Sequence, residues 1–308
     1  MKKGILFSLF SIVITGLTAQ HNISEIVTYD LPVKTINIKS ESIAYTDKGS
    51  GDKTLLFVHG LSSNLDSWKK NFEDIAIDYR CIAIDLPGYG QSSRSKTNYS
   101  LAEYTDILNA LAEKMELENV ILVGHSMGGQ IAMHSVLKYP EAYEKLILIA
   151  PAGIETFTEQ EATVMKTAYT PAMVVNASDE QVLANYKMNF HSFPEDAQSM
   201  VDDRIKMKSA EDFPAYAETV VNNIHAMLEE PVIHEIKNIE IPVLMIFGKN
   251  DMLIPNKYFH PSESIESLIE TSEEKFQDLE VKIIDEAGHF VNFEKAEKVN
   301  GEIRDFLN

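Results

Sequence analysis

The chain has 308 residues, 44% of them hydrophobic and 24% charged. That is a globular composition; it excludes wholesale disorder and suits one large domain with an insertion. Lys and Arg number 27 against 47 Asp and Glu, a formal net charge of −20, which argues against nucleic acid or an anionic membrane surface as a partner.

Residues 1–19 read as a secretory signal peptide. Lys2 and Lys3 precede an uncharged, mostly apolar run from Gly4 to Thr18, and small residues lead to Gln20. The run is short for a bilayer-spanning helix. The expectation is cleavage after Ala19, no stable membrane insertion afterwards, and a periplasmic or secreted mature protein. A retained N-terminal anchor is the alternative. The single cysteine, Cys81, excludes an internal disulfide and a cysteine-rich metal site; its place in the apolar run Cys81–Ile84 predicts a buried thiol.

Residues 23–47 read as an antiparallel strand pair that ends at the turn signal Gly49-Ser50-Gly51. Near-continuous apolar runs then recur at Thr54–Val58, Cys81–Ile84, Val120–Val123, Leu146–Ile149 and Val243–Phe247, with a weaker one at Val281–Ile284. Such runs suit strands buried on both faces of a parallel sheet. Helical spacing over Ser100–Leu117 and Gly128–Tyr139 separates them, so the alternation predicts an α/β fold with a mostly parallel, doubly wound sheet. Between Pro151 and Asn238 the strand pattern lapses. That stretch is helical and holds six of the twelve methionines. The organisation read from this is a core of residues 20–153 and 238–308 with a helical cap at 154–237.

Gly124-His125-Ser126-Met127-Gly128 follows the run Val120–Val123 and opens a helix. A serine there sits on a sharp strand-to-helix turn, and the glycines two positions either side leave room for that turn. Ser126 is therefore the candidate nucleophile. A hydroxyl needs a base and the base an orienting acid. Asp251 and His289 each lie just beyond an apolar run, Val243–Phe247 and Val281–Ile284, and so project from the same sheet edge, where ligands bind in such folds. The backbone N–H groups of Leu61 and Met127 are the candidate oxyanion donors. His59 is expected to shape its loop. His134, His191, His225, His234 and His260 show no metal-ligand spacing, and no metal site is expected.

At these residues the chain resembles the α/β-hydrolase-fold enzymes of the capped esterase and lipase group. His59-Gly60, Trp68, Asp85–Ser92, Gly124–Gly129, Asp251 and Ala287-Gly288-His289 match that family's motifs in order. The resemblance implies serine-dependent hydrolysis without a metal or organic cofactor, with Ser126 as nucleophile, His289 as base and acid, and Asp251 as orienter. The substrate implied is a small or medium carboxylic ester. Carbon–carbon bond hydrolases of ring-cleavage products share the cap and use a cap arginine; Arg204 is the only arginine in this cap and the candidate substrate-binding residue for that reaction. A small-molecule binding protein of the same fold is the third reading. The polar stretch Tyr258–Gln277 departs from the family pattern and reads either as an extra helix near the site entrance or as surface. Oligomeric state is not legible.

Overall fold

The computed structural model describes residues 21–308, so the signal peptide expected at 1–19 lies outside the described residues. The first of these form a short helix, α1 (Ile23–Ile26), and not a strand. The antiparallel pair follows it as β1 (Lys34–Ile38) and β2 (Glu41–Lys48).

From there strands and helices alternate: β3 (Thr54–Val58), α2 (Lys69–Ile75), β4 (Arg80–Ile84), α3 (Leu101–Lys114), β5 (Val120–His125), α4 (Met127–Lys138) and β6 (Lys145–Ile149). Five helices come next: α5 (Glu159–Ala168), α6 (Pro171–Val175), α7 (Asp179–Lys187), α8 (Gln198–Met207) and α9 (Phe213–Glu229). The chain then returns to the sheet through β7 (Val243–Gly248), α10 (Ile265–Glu273), β8 (Leu279–Ile284), α11 (Val291–Glu294) and α12 (Ala296–Leu307). Helix α10 is the element inside the polar stretch 258–277.

The eight strands form one sheet in the order β1-β2-β4-β3-β5-β6-β7-β8. β2 pairs antiparallel with β1 and β4, and every pairing from β4 to β8 is parallel. Every residue of β3 and β5 is buried, because helices cover both faces. The period of two divides their side chains: Leu56, Val58 and Leu122 face the layer of α3 and α4, while Leu55, Phe57 and Val123 face that of α2 and α12. Cys81 is fully buried in the second layer, and burial pushes its thiol up to about 12. Edge strand β8 is only half-buried, with Ile284 its one buried residue and Ile283 exposed, which is why its sequence signal is weak.

Local signals set the helix boundaries. Ser100 accepts from the Glu103 N–H and Glu103 accepts from the Ser100 N–H, a reciprocal cap that starts α3. The same arrangement at Thr158 and Ser178 starts α5 and α7. A buried polar cluster ties α9 to the core: Asn223 Oδ1 accepts from the hydroxyls of Tyr89 at 2.6 Å and Tyr104 at 3.0 Å, and its Nδ2 donates to the Tyr99 carbonyl at 2.9 Å. Among the described residues no helix is long and apolar enough to cross a membrane.

Candidate active site

The junction of β5 and α4 is under backbone constraint. Ser126 has φ 52° and ψ −119°, a conformation that costs a non-glycine residue about 1–3 kcal/mol and persists only where its surroundings impose it. They do so through contact. A Cβ on Gly124 would lie 2.3 Å from the Gly128 carbonyl oxygen, and one on Gly128 would lie 2.3 Å from that of Val58. Glycine at both places allows the turn to close, and the closed turn holds Ser126 partly exposed above the sheet edge.

His289 and Asp251 reach the same edge from the loops after β8 and β7. Both are buried. His289 Nδ1 lies 2.8 Å from Asp251 Oδ2, while Asp251 Oδ1 accepts the backbone N–H groups of Leu253 at 2.8 Å and Ile254 at 3.0 Å. Acceptance of two N–H bonds on one oxygen fixes the carboxylate plane and leaves the other oxygen for the imidazole. Ser126 and His289 line one cavity of 330 Å³, together with Gly60, Leu61 and His125.

The loop after β3 supplies the other wall. His59 is fully buried; its Nδ1 donates to the Gly60 carbonyl at 2.8 Å and its Nε2 accepts the Leu86 N–H at 3.0 Å. Desolvation lowers its pKa to about 4, so it stays neutral and acts as a brace. Because a trans peptide sets N–H opposite C=O, holding the Gly60 carbonyl turns the Leu61 N–H the other way. Among the described residues neither the Leu61 nor the Met127 N–H meets an acceptor. Met127 also heads α4, whose dipole favours negative charge at that end.

Arg204 does not line this cavity. Its guanidinium stands behind the Leu61 loop, donating to the Ser62 hydroxyl at 2.8 Å and to the Ser62 carbonyl, with its Cζ 4.8 Å from the Tyr216 ring centre. It borders a second cavity, of 730 Å³, which shares Leu61, Asn189, Ile224 and Phe290 with the first. Two of its three nitrogens thus already bind the loop.

Three supporting residues escaped the sequence reading. Glu294, on α11, accepts the N–H groups of Gly288 at 2.8 Å, His191 at 3.0 Å and Ser192 at 2.6 Å, joining the His289 loop to the segment between α7 and α8. His125 Nε2 donates to the His289 carbonyl at 3.0 Å; burial first, then the nearby His289, pushes its pKa well down. Glu155, on the wall of the 330 Å³ cavity, pairs with His260 Nδ1 across to the 256–264 segment, where Glu263 also approaches. Each has a partner about a hundred or more positions away in sequence, His191 and Ser192 for Glu294, His289 for His125 and His260 for Glu155, so no local motif marks them. Of the six methionines between Pro151 and Asn238, Met165 and Met227 line the site cavity, Met173 lines the second, Met207 is buried, Met200 is half-buried against the cluster of Phe190 and Phe293, and Met188 is exposed.

The model of the α/β hydrolase fold family matches residues 53–296. The chain belongs to this family. It is 27% identical over 267 residues to a dihydrolipoyllysine-residue acetyltransferase component of an acetoin cleaving system from Pseudomonas putida, covering 84% of this chain but only 64% of that one. It is 24% identical to a 2-hydroxy-6-oxononadienedioate/2-hydroxy-6-oxononatrienedioate hydrolase from Paraburkholderia phymatum, covering 86% and 90% of the two chains. The crystal structure of a probable hydrolytic enzyme from Pseudomonas aeruginosa PAO1 superposes with a TM-score of 0.83 at 21% identity, covering 94% and 98%, which shows a shared fold. The hydrolase family therefore rests on most of the chain, and the choice of bond cleaved rests on the site.

Proposed function

We propose that the protein is a serine esterase that cleaves a carboxylic ester through an acyl-enzyme on Ser126. The observation that carries this is the Asp251–His289 hydrogen bond at the wall of the cavity onto which the strained Ser126 opens. In the proposed cycle His289 Nε2 takes the Ser126 proton as Oγ adds to the ester carbonyl. The N–H groups of Leu61 and Met127 receive the oxyanion. The C–O bond to the alcohol then breaks, and His289 returns the proton to the departing alkoxide. Water, deprotonated by His289, hydrolyses the acyl-enzyme and regenerates Ser126. Asp251 holds the imidazole with its proton on Nδ1 and steadies the cation that forms.

The relative from Paraburkholderia phymatum favours the carbon–carbon hydrolase as a second reading. Against it, the Arg204 guanidinium is bound to Ser62 outside the site cavity, and that cavity is walled by Phe157, Met165, Met227, Leu228 and Ile254. Those side chains suit an apolar acyl group better than a carboxylate. The helices at 159–229 would then serve as a cap over the acyl site, and the leader-like residues 1–19 support export. Hydrolysis of p-nitrophenyl esters from acetyl to decanoyl, with Ser126→Ala alongside, tests the proposal. Turnover that vanishes in the variant supports it. Equal release by parent and variant removes it, as does turnover of ring-cleavage diketone acids with none of esters.

A further inference from the structure

The turn that carries the Leu61 N–H is held in an unfavoured shape. Gly60 to Ser63 form a tight turn, closed by the Ser63 N–H on the Gly60 carbonyl at 3.3 Å. Ser62, third in the turn, has φ 62°. A positive φ there normally calls for glycine or asparagine. Serine carries a Cβ and stays in the left-handed region only where its surroundings impose it. The turn also lies directly against the nucleophile: a Cβ on Gly60 would stand 3.1 Å from Ser126 Cβ. The Gly60 carbonyl has two donors, His59 Nδ1 at 2.8 Å and the Ser63 N–H. Because the Leu61 N–H belongs to the same rigid peptide, those two bonds set its direction. If Ser62 leaves the left-handed region, the turn opens and the Ser63 N–H is withdrawn.

What holds Ser62 comes from the helices between β6 and β7. Arg204, on α8, donates through Nη1 to the Ser62 hydroxyl at 2.8 Å and through Nη2 to the Ser62 carbonyl. The Tyr216 hydroxyl, on α9, lies 2.9 Å from Ser62 Oγ. A planar guanidinium that grips the hydroxyl and the carbonyl of one residue fixes their relative direction, which a flexible point charge cannot do. The arginine is not itself tied to an acid. Arg80 pairs with Asp47, Arg94 with Asp212, and Arg304 with Asp74 and Asp78, whereas among the described residues Arg204 meets no carboxylate. Its charge lies instead against the rings of Tyr216 at 4.8 Å and Tyr186, on α7, at 6.0 Å. Three helices outside the sheet layer thus converge on the residue after the oxyanion donor.

We propose that Arg204 is a positioning residue for ester hydrolysis: through Ser62 it keeps the turn closed and the Leu61 N–H aimed at the oxyanion. The helices between β6 and β7 must then be seated on the core for the reaction to run. The proposal rests on the esterase reading. The test is steady-state hydrolysis of p-nitrophenyl butyrate by the full chain. Arg204→Met keeps an aliphatic stem over the tyrosines and removes the fork. Its kcat should fall about 10- to 100-fold with KM changed by less than about threefold, since the donor acts on the transition state more than on the bound ester. Arg204→Lys should keep only part of the activity. Ser62→Gly in the Arg204→Met background should restore kcat by about tenfold, because glycine takes the left-handed conformation unaided. A residue that merely supports the fold would show no such rescue, and urea unfolding shows which variants are folded. Ser62→Ala against Ser62→Gly serves should Arg204→Met not fold: both lack the hydroxyl, and the alanine variant should be slower by about fivefold or more. A folded Arg204→Met with kcat within about threefold of the parent would overturn the proposal, as would a loss confined to KM. So would the absence of rescue by Ser62→Gly, or equal kcat for Ser62→Ala and Ser62→Gly. The esterase reading fails separately, if the parent hydrolyses no ester, and the proposal then falls with it.

Discussion

Asp251→Asn is the sharpest perturbation of the proposed site, because the structure dictates which way the new amide faces. The position of Oδ1 receives two backbone N–H groups, from Leu253 and Ile254, so the amide oxygen must occupy it. The reverse orientation sets an NH2 against two donors and forfeits two hydrogen bonds, each costing about 1–3 kcal/mol when its buried partner is left unmet. The NH2 group is therefore aimed at His289 Nδ1, 2.8 Å from the present Oδ2. A donor there demands an unprotonated Nδ1, which moves the imidazole proton to Nε2. That tautomer cannot accept the Ser126 proton. The expected loss in kcat is about 10⁴-fold, or about 5 kcal/mol of barrier, with KM changed by less than about threefold. Steady-state hydrolysis of p-nitrophenyl butyrate measures it, with urea unfolding to show that the fold is kept. A kcat within tenfold of the parent in a folded variant would refute Asp251 as the orienter.

The other predictions concern the frame of the site. Gly124→Ala, whose Cβ would lie 2.3 Å from the Gly128 carbonyl, should abolish turnover and lower stability by about 2 kcal/mol or more; an unshifted urea midpoint would show that the turn has room to spare. Asn223→Leu removes three hydrogen bonds and strands the buried Tyr89 hydroxyl, so urea unfolding should report a loss of about 2–4 kcal/mol, and a change under 0.5 kcal/mol, on the order of measurement error, would mean the cluster re-pairs. Glu294→Ala releases the Gly288 N–H of the His289 loop and the His191 and Ser192 N–H groups of the facing segment; kcat should fall about tenfold with KM nearly constant, whereas a pure rise in KM would assign Glu294 to substrate binding. Acid stability follows from two buried groups of opposite sign. Burial holds His59 at about 4 against an unfolded value near 6.5, so the unfolded chain binds the extra proton and stability is lost as pH falls from about 6.5 to 4. Burial raises Asp85 to about 6, so there the folded chain binds the extra proton and stability is gained as pH falls from about 6 towards 4. Asp85→Asn removes the compensating group. Its urea-derived stability should therefore decline more steeply than the parent's between pH 6 and 4, and parallel slopes would show that the two groups do not titrate as argued.

Much of the frame is legible in residue order because the relevant contacts are local or periodic. Fully buried strands announce themselves as apolar runs, since both faces of β3 and β5 meet helices. The half-buried β8 gives a fainter signal for the same reason. The segment 23–26 is helical where a strand was expected. Its reciprocal Asn22–Glu25 cap is a helix signal, but the segment is too short for a period to show, and Ile23 is buried by tertiary packing. Arg204 was singled out only as the sole arginine in its region, and composition has no direction: in three dimensions the guanidinium turns to Ser62, 142 positions away in sequence.

The sequence alone determined the strand order along the chain, the glycine-framed turn at Ser126 and the places of Asp251 and His289 just past their strands. Those features depend on burial period and on steric room within a few residues. Only the tertiary structure decided that Asp251 is oriented by its own loop, that Glu294 holds the Gly288 N–H and His125 the His289 carbonyl, that Arg204 braces a loop, and that Tyr169 and Met173 are exposed at the wall of a second cavity. Apart from the bonds of Asp251 to Leu253 and Ile254, which reach only two and three residues along the chain, each of these depends on packing between segments that the sequence keeps apart. The chain's local chemistry names the reacting groups, and the packing of distant loops fixes the directions in which they point.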